Sequence, residues 1–298
     1  MKTANASLQS YLASRRSGWI ADLFDFVLAN GTEYHWTSFD QSLQVGPTLY
    51  SALGPLIDRT KWGIKNTIEV PEMDIRIFSD GSDLPDGTNL KLSVHNGLFD
   101  YSTITLSRLF MPTIGDTSLG PVTLFTGNAS QIEIDALSVT VTVKGANVQL
   151  AQYMPRNRFT LGCTHALYDA NCAPNPGEPG GGPSLAANTY TGGIVTTGST
   201  RQVVQWRPAG DFPPNIPNFT LGVIQFTSGV ANGLSRTIQS ITTSNVQVSY
   251  NFYEAPGEGD TFNLIYGCDH TRAGGCTFHN NLKHYRGFPY TPPEQYAL

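Results

Sequence analysis

Near the start of the chain, Leu8, Tyr11 and Leu12 fall at helical spacing and predict a short helix within residues 5–16. Beyond it the apolar period becomes two. LFDFVLANGTEYHWTSF reads as a strand, a turn at Asn30-Gly31 and a second strand, the pattern of a tight hairpin. Further strands are predicted at TIEV (67–70), MDIRIF (73–78) and LKLSV (90–94). The clearest alternations are STITLSRLF (102–110) and LSVTVTVKG (137–145). Between those two, GPVTLFTGNASQIEI is expected to give two strands about a TGNAS turn.

After Met154-Pro155 the pattern changes. A loop with nothing to bury, APNPGEPGGGP (173–183), precedes six short strand-like runs. They are TYTGGIV, RQVVQW, LGVIQFTSG, RTIQSIT, VQVSYNFY and TFNLIY, broken once by the Pro-rich RPAGDFPPNIP. Short strands at this spacing predict a small antiparallel barrel or sandwich. The expectation is therefore a mainly β protein: residues 1–155 form a β-barrel or sandwich-type domain, and residues 156–298 a smaller antiparallel β-barrel module. No repeat of fixed period is present.

Composition sharpens this picture. Charged residues are 14% of the 298, against roughly 25% in typical soluble proteins. Thirty Gly and 19 Pro favour strands and turns over long solvated helices. The net charge of −5 comes without a run of either sign, so no basic stripe marks a nucleic-acid groove. No stretch reaches the ~18 apolar residues of a membrane-spanning helix. The first residues lack the apolar core of a signal peptide, which predicts folding in a reducing cytoplasm where lasting disulfides are rare.

The chemistry-bearing residues are four cysteines in two pairs, Cys163 with Cys172 and Cys268 with Cys276. They bracket the second module, so its ends are expected to be close in space and to bring the four thiols within reach of one another. Neither gap matches the C-x2–4-C knuckle of structural zinc. Metal ligation, two disulfides and unrelated buried thiols all remain open on spacing alone. A cysteine nucleophile accounts for one of the four and lacks a surrounding signature. His165, His270, His279 and His284 lie around the same segments, as do Asp169 and Asp269. Beside four thiols the expected role of these four histidines, His165 and His270 first among them, is to tune the sulfurs by hydrogen bonding. For the two aspartates, each in a turn beside a cysteine, it is to cap backbone N–H groups.

LGCTHALYDANC, together with GDTFNLIYGCDHTRAGGCTFHNNLKHYRGFPYTP, resembles the C-terminal signature of a phage tail family. These are the minor tail or baseplate hub proteins of siphophages and gene transfer agents, related to the tail-tip protein of lambda-like phages. NGLFDYSTITLSRLF, LFTGNASQIEI and LGVIQFTSGVANGLSRTIQSI are similar to other parts of the same family, so the resemblance covers nearly the whole chain. It implies a structural, non-enzymatic virion protein at the distal tail tip, assembled in the host cytoplasm. It further implies a homotrimer that links the tail tube to the host-recognition apparatus, with distal tail, tape-measure and central fibre proteins as neighbours. It implies a [4Fe-4S] cluster on Cys163, Cys172, Cys268 and Cys276, with zinc the alternative. Two departures from the pattern are the Pro/Gly insertion at 173–183 and the longer run Leu282-Lys283-His284-Tyr285 after the last cysteine. The competing reading is a tail-associated enzyme, either a cysteine peptidase or a redox iron–sulfur protein.

Overall fold

A computed structural model describes residues 5–14, 17–60, 70–79, 84–85, 87–146, 148 and 159–290. The chain folds as two units, Met1–Tyr153 and Met154–Leu298, each with its own core.

The first unit opens with the helix α1 (Ala6–Ala13), whose N-cap Asn5 accepts from Leu8 N–H and whose Leu8 is buried. The strands β1 (Trp19–Val27) and β2 (Glu33–Thr37) form the predicted hairpin, with Gly31 at φ +85° in its turn. The chain continues through β3 (Leu43–Val45), β4 (Thr48–Tyr50), β5 (Leu56–Arg59), β6 (Glu72–Phe78), the helix α2 (Leu90–His95), β7 (Thr103–Met111), β8 (Pro121–Ile134) and β9 (Ser138–Gly145). Seven of these strands make one antiparallel sheet in the order β2-β1-β7-β8-β9-β6-β5, an open half-barrel, and β3 pairs with β4 alone.

Both faces of the sheet are covered. On β1, Phe24 and Phe26 join Ile104, Leu106, Ile75 and Ile77 in a core closed by Leu90, Val94 and Phe99. Ala21 and Leu23, which the pleat turns to the opposite side, join Leu109 and Met111 beneath Leu43 and Tyr50. Each fully buried large side chain of this kind contributes on the order of 2–3 kcal/mol.

Two predicted elements differ. LKLSV is helical: Asn89 caps the turn by accepting from Leu92 N–H, and Leu90 and Val94, one turn apart, are the buried pair. GPVTLFTGNASQIEI is one strand of 14 residues, not two. Gly127 pairs with Ile104 on one side and Gly145 on the other, so it lies within the ladder. A Cβ there would collide with Lys144 O, so this glycine serves close backbone approach. A bulge between Ala129 and Gln131 absorbs the remaining irregularity. The strand predicted at TIEV lies almost wholly outside the described residues.

The second unit contains a closed six-stranded barrel. Its strands are β10 (Thr189–Val195), β11 (Val203–Pro208), β12 (Val223–Phe226), β13 (Ser235–Ile241), β14 (Asn245–Val248) and β15 (Thr261–Ile265), in the order β10-β11-β14-β13-β12-β15. Trp206, Phe226, Phe252 and Phe262 fill its interior with Val204, Ile224, Ile238 and Leu264. Closure leaves the barrel no edge strand. The cysteine segments flank it, one before β10 and one directly after β15.

Candidate functional site

The site begins where β15 leaves the barrel. Gly267 lies so close to the turn that leads into β12 that a Cβ would collide with Gly222 N and Thr220 O. Its N–H donates to Asn218 O (3.0 Å), and its carbonyl accepts from His279 Nε2 (3.0 Å). A carbonyl only accepts, so this imidazole carries its proton on Nε2. Cys268 follows immediately.

The loop from Cys268 to Cys276 is organised by Asp269. Its Oδ1 accepts from Thr271 N (2.9 Å) and Gly275 N (2.7 Å), and its Oδ2 accepts from Thr271 Oγ1 (2.9 Å). Thr271 in turn caps the π-turn Arg272–Cys276 by accepting from Gly274 N–H. Gly275 is required by Cys268, because a Cβ on it would collide with that sulfur. Asp169 does the same for the first pair, with Oδ1 accepting from the N–H groups of Asn171 and Cys172 and Oδ2 from Ala166 N–H. Burial pushes both carboxyls up, but these N–H donors outweigh it and hold each below the ordinary carboxylate value. Both aspartates thus cap backbone.

The two cysteine segments are joined directly. Cys163 N–H donates to His270 O (2.7 Å), and the Tyr168 hydroxyl donates to Tyr266 O at the end of β15 (3.2 Å). Asn281, only 3% exposed, donates from Nδ2 to Cys172 O (2.8 Å) and lies 3.3 Å from Cys172 Sγ. The Tyr285 hydroxyl donates to Leu161 O, and Phe288 N–H donates to Thr160 O (2.8 Å). The rings of Phe159 and Phe288 meet edge to face at 4.6 Å, so the GFPY segment packs along its own module.

All four cysteines are free thiols, with Cys172 and Cys276 buried and Cys163 and Cys268 half-buried. N–H groups point at their sulfurs: His270 N at Cys268 (3.3 Å), Arg286 N at Cys163 (3.5 Å) and the Tyr168 backbone at Cys172. Burial pushes the thiols of Cys172 and Cys268 up, and that of Cys276 up to about 11. Each of these three also feels charge on Cys163, so the four sulfurs form one electrostatic group. Among the described residues, no three His, Cys, Asp or Glu side chains converge as tightly as a single ion requires. The backbone around the thiols is unusual. Tyr168, Leu221, His270 and Asn280 all have positive φ, of 67°, 61°, 59° and 49°. A cleft of about 250 Å³ reaches Cys268 between Leu221 and Phe278.

Of the four histidines expected to tune the sulfurs, His270 acts through its backbone and exposes its ring, His279 bonds Gly267 O, and His284 bonds the Asn281 side chain. His165 has a buried Nδ1 without a hydrogen-bond partner and lies close enough to Asp169 to lower its carboxyl. The residue types of Asn281 and Gly275 carried no signal, because turn Asn and Gly are common for purely local reasons.

Residues 5–175, more than half of the chain, match the family model described as "Baseplate hub protein, N-terminal attachment domain". The chain belongs to the baseplate hub protein family. It is a structural protein of the virion tail. Residues 217–295 of this hub protein match a second model, "Phage conserved hypothetical protein BR0599". No curated protein matches it. Among solved structures it is similar to a chain from "Virion of native gene transfer agent (GTA) particle". That likeness covers 99% of this chain and 95% of the other, with a TM-score of 0.69 and 17% identity. At that identity it shows a shared fold across both units.

Proposed function

We propose that this hub protein is a non-enzymatic ring subunit at the distal end of a long non-contractile tail. It forms a homotrimer that joins the tail tube to the host-recognition apparatus and neighbours the distal tail, tape-measure and central fibre proteins. Its second unit holds a [4Fe-4S] cluster through Cys163, Cys172, Cys268 and Cys276. The observation that carries the cluster reading is the grouping of four free thiols in loops whose N–H groups point at the sulfurs.

The donor set fits such a group. Four thiolates are what a [4Fe-4S] cluster takes, one from each side, and N–H donors to sulfur are a recurrent part of such sites. The absent Cβ of Gly275 leaves room for the Cys268 sulfur, and the orphaned buried Nδ1 of His165 offers a further polar contact beside the first pair. A zinc ion, the alternative, needs its sulfurs drawn to about 2.3 Å from one point, a tighter gathering than the side chains have here. When bound, the cluster supplies cross-links between two segments separated by 95 residues of chain. The protein's own residues then orient the sulfurs and exclude water.

The test is anaerobic purification followed by metal analysis and an optical spectrum. About four irons per chain with broad visible absorption is the expected result. Colourless protein holding zinc overturns the cluster, and a tail reconstruction without threefold density for this chain overturns the trimer.

A further inference from the structure

Asn281 stands between the two buried cysteines. Its own N–H donates to Cys276 O (2.8 Å), while its side-chain amide faces Cys172. The orientation of that amide is fixed by chemistry. Cys172 O is a carbonyl and only accepts, so the group 2.8 Å from it is the NH2. The same NH2 lies 3.3 Å from Cys172 Sγ, leaving a second N–H for the sulfur. Oδ1 then faces the other way, 2.7 Å from Nδ1 of His284. An amide oxygen accepts, so His284 must carry a proton on Nδ1. The half-buried His284 lies in the run between the last cysteine and Tyr285, and its backbone N–H donates to Asn281 O (3.0 Å).

We propose that His284 is a positioning residue: through Asn281 it holds an N–H on the Cys172 sulfur and so raises the reduction potential of the group the four cysteines bind. The inference rests on the cluster reading for its electronic consequence, but the relay itself involves no metal. An N–H directed at a ligating sulfur stabilises the more negative, reduced state, because the extra electron density resides partly on sulfur. Without the Nδ1–H, the amide loses the partner that sets its direction. A rotated Asn281 would turn an oxygen lone pair towards Cys172, where N–H now lies.

Three measurements on the full chain test this. Nitrogen NMR of histidine-labelled protein should find His284 protonated on Nδ1; an Nε2–H tautomer with bare Nδ1 overturns the relay. Hydrogen exchange of the Asn281 side-chain amide should be slow and should accelerate at least tenfold in His284→Ala. His284→Gln, which can still donate to Asn281 Oδ1, should restore slow exchange. In loaded protein, His284→Ala should shift the midpoint potential negative by on the order of 60 mV, a tenfold change for a one-electron couple, with recovery in His284→Gln. Equal effects in the two variants, or an unmoved potential in both, overturn the positioning role. Protein that loads no iron defeats the cluster reading, and with it the effect on potential. The tautomer and exchange measurements still decide whether the relay exists.

Discussion

His270 shows how much of this site is backbone. Its side chain is exposed, yet its left-handed conformation (φ +59°) turns its N–H onto Cys268 and its carbonyl onto Cys163 N–H. Histidine bears that conformation at a cost that glycine does not pay and a β-branched residue feels more. His270→Gly should therefore leave stability unchanged or raise it by up to about 1 kcal/mol, while His270→Val should cost about 1–2 kcal/mol. Urea unfolding of the two variants checks this, and a Gly variant less stable than the wild type would show that the ring matters. Asp269 makes a pH-dependent case. Its folded carboxyl is held below the ordinary 3.8 by N–H donors that outweigh burial, so its stabilisation is fully present above that value. It is lost as pH falls through the lowered value, when protonation weakens three acceptor contacts. Asp269→Asn should flatten the part of the acid-unfolding curve below about pH 4 that this carboxylate contributes. An unchanged acid limb would remove Asp269 from the account.

At the scale of elements, one ion-paired cluster has a structural consequence beyond its own atoms. Asp22 on β1 binds Arg59 of β5 at 2.7 Å and Arg108 of β7 at 2.8 Å. In the hydrogen-bonded order β1 and β5 are nearly at opposite ends of the sheet, so the pair spans the open side of the half-barrel. Burial raises the Asp22 carboxyl, and the two guanidiniums more than reverse it. Asp22→Ala would leave two partly buried cations facing each other, and should cost about 3 kcal/mol, mostly from the uncompensated charges. A double-mutant cycle of Asp22→Ala with Arg59→Ala should recover part of that loss, and additive effects would mean that the latch carries no coupling. Little of this was legible from sequence. Alternation located β6, β7 and β9 because fully buried and less buried side chains alternate along each, which is what a period of two records. It failed at LKLSV, where five residues fit either period and the deciding signal was the cap Asn89. It failed again at TGNAS, where Gly and Asn suggested a turn although the glycine serves backbone contact with Lys144. The cysteines and both aspartates could be picked out as residue types in turns. Asn281 and the Asp22 latch depend on which segments meet, and local pattern does not encode that.

For the whole molecule, the two units differ in what holds them. The first has two apolar cores on one sheet and a latch across its open side. The second has a closed barrel with a filled interior, and beside it loops held by hydrogen bonds and four thiols. Those loops bury few large apolar side chains of their own. A cluster bound by Cys163, Cys172, Cys268 and Cys276 would close a loop of 113 residues between its outermost ligands. A disulfide across a ~100-residue loop contributes on the order of 4–5 kcal/mol before strain, and thiolate–iron bonding adds to the same folded state because the unfolded chain cannot organise the site. Cys268→Ser should therefore lower the melting transition of residues 156–298 by several degrees or more while the first unit melts as before. Chelation of iron from the unaltered protein should reproduce that shift. Calorimetry with limited proteolysis at the temperature between the two transitions would reveal which unit opens. A uniform fall of both would argue that the units do not unfold separately. Full stability together with normal tail assembly in Cys268→Ser would remove the structural role of the cluster and leave a redox or sensing role for the same four cysteines.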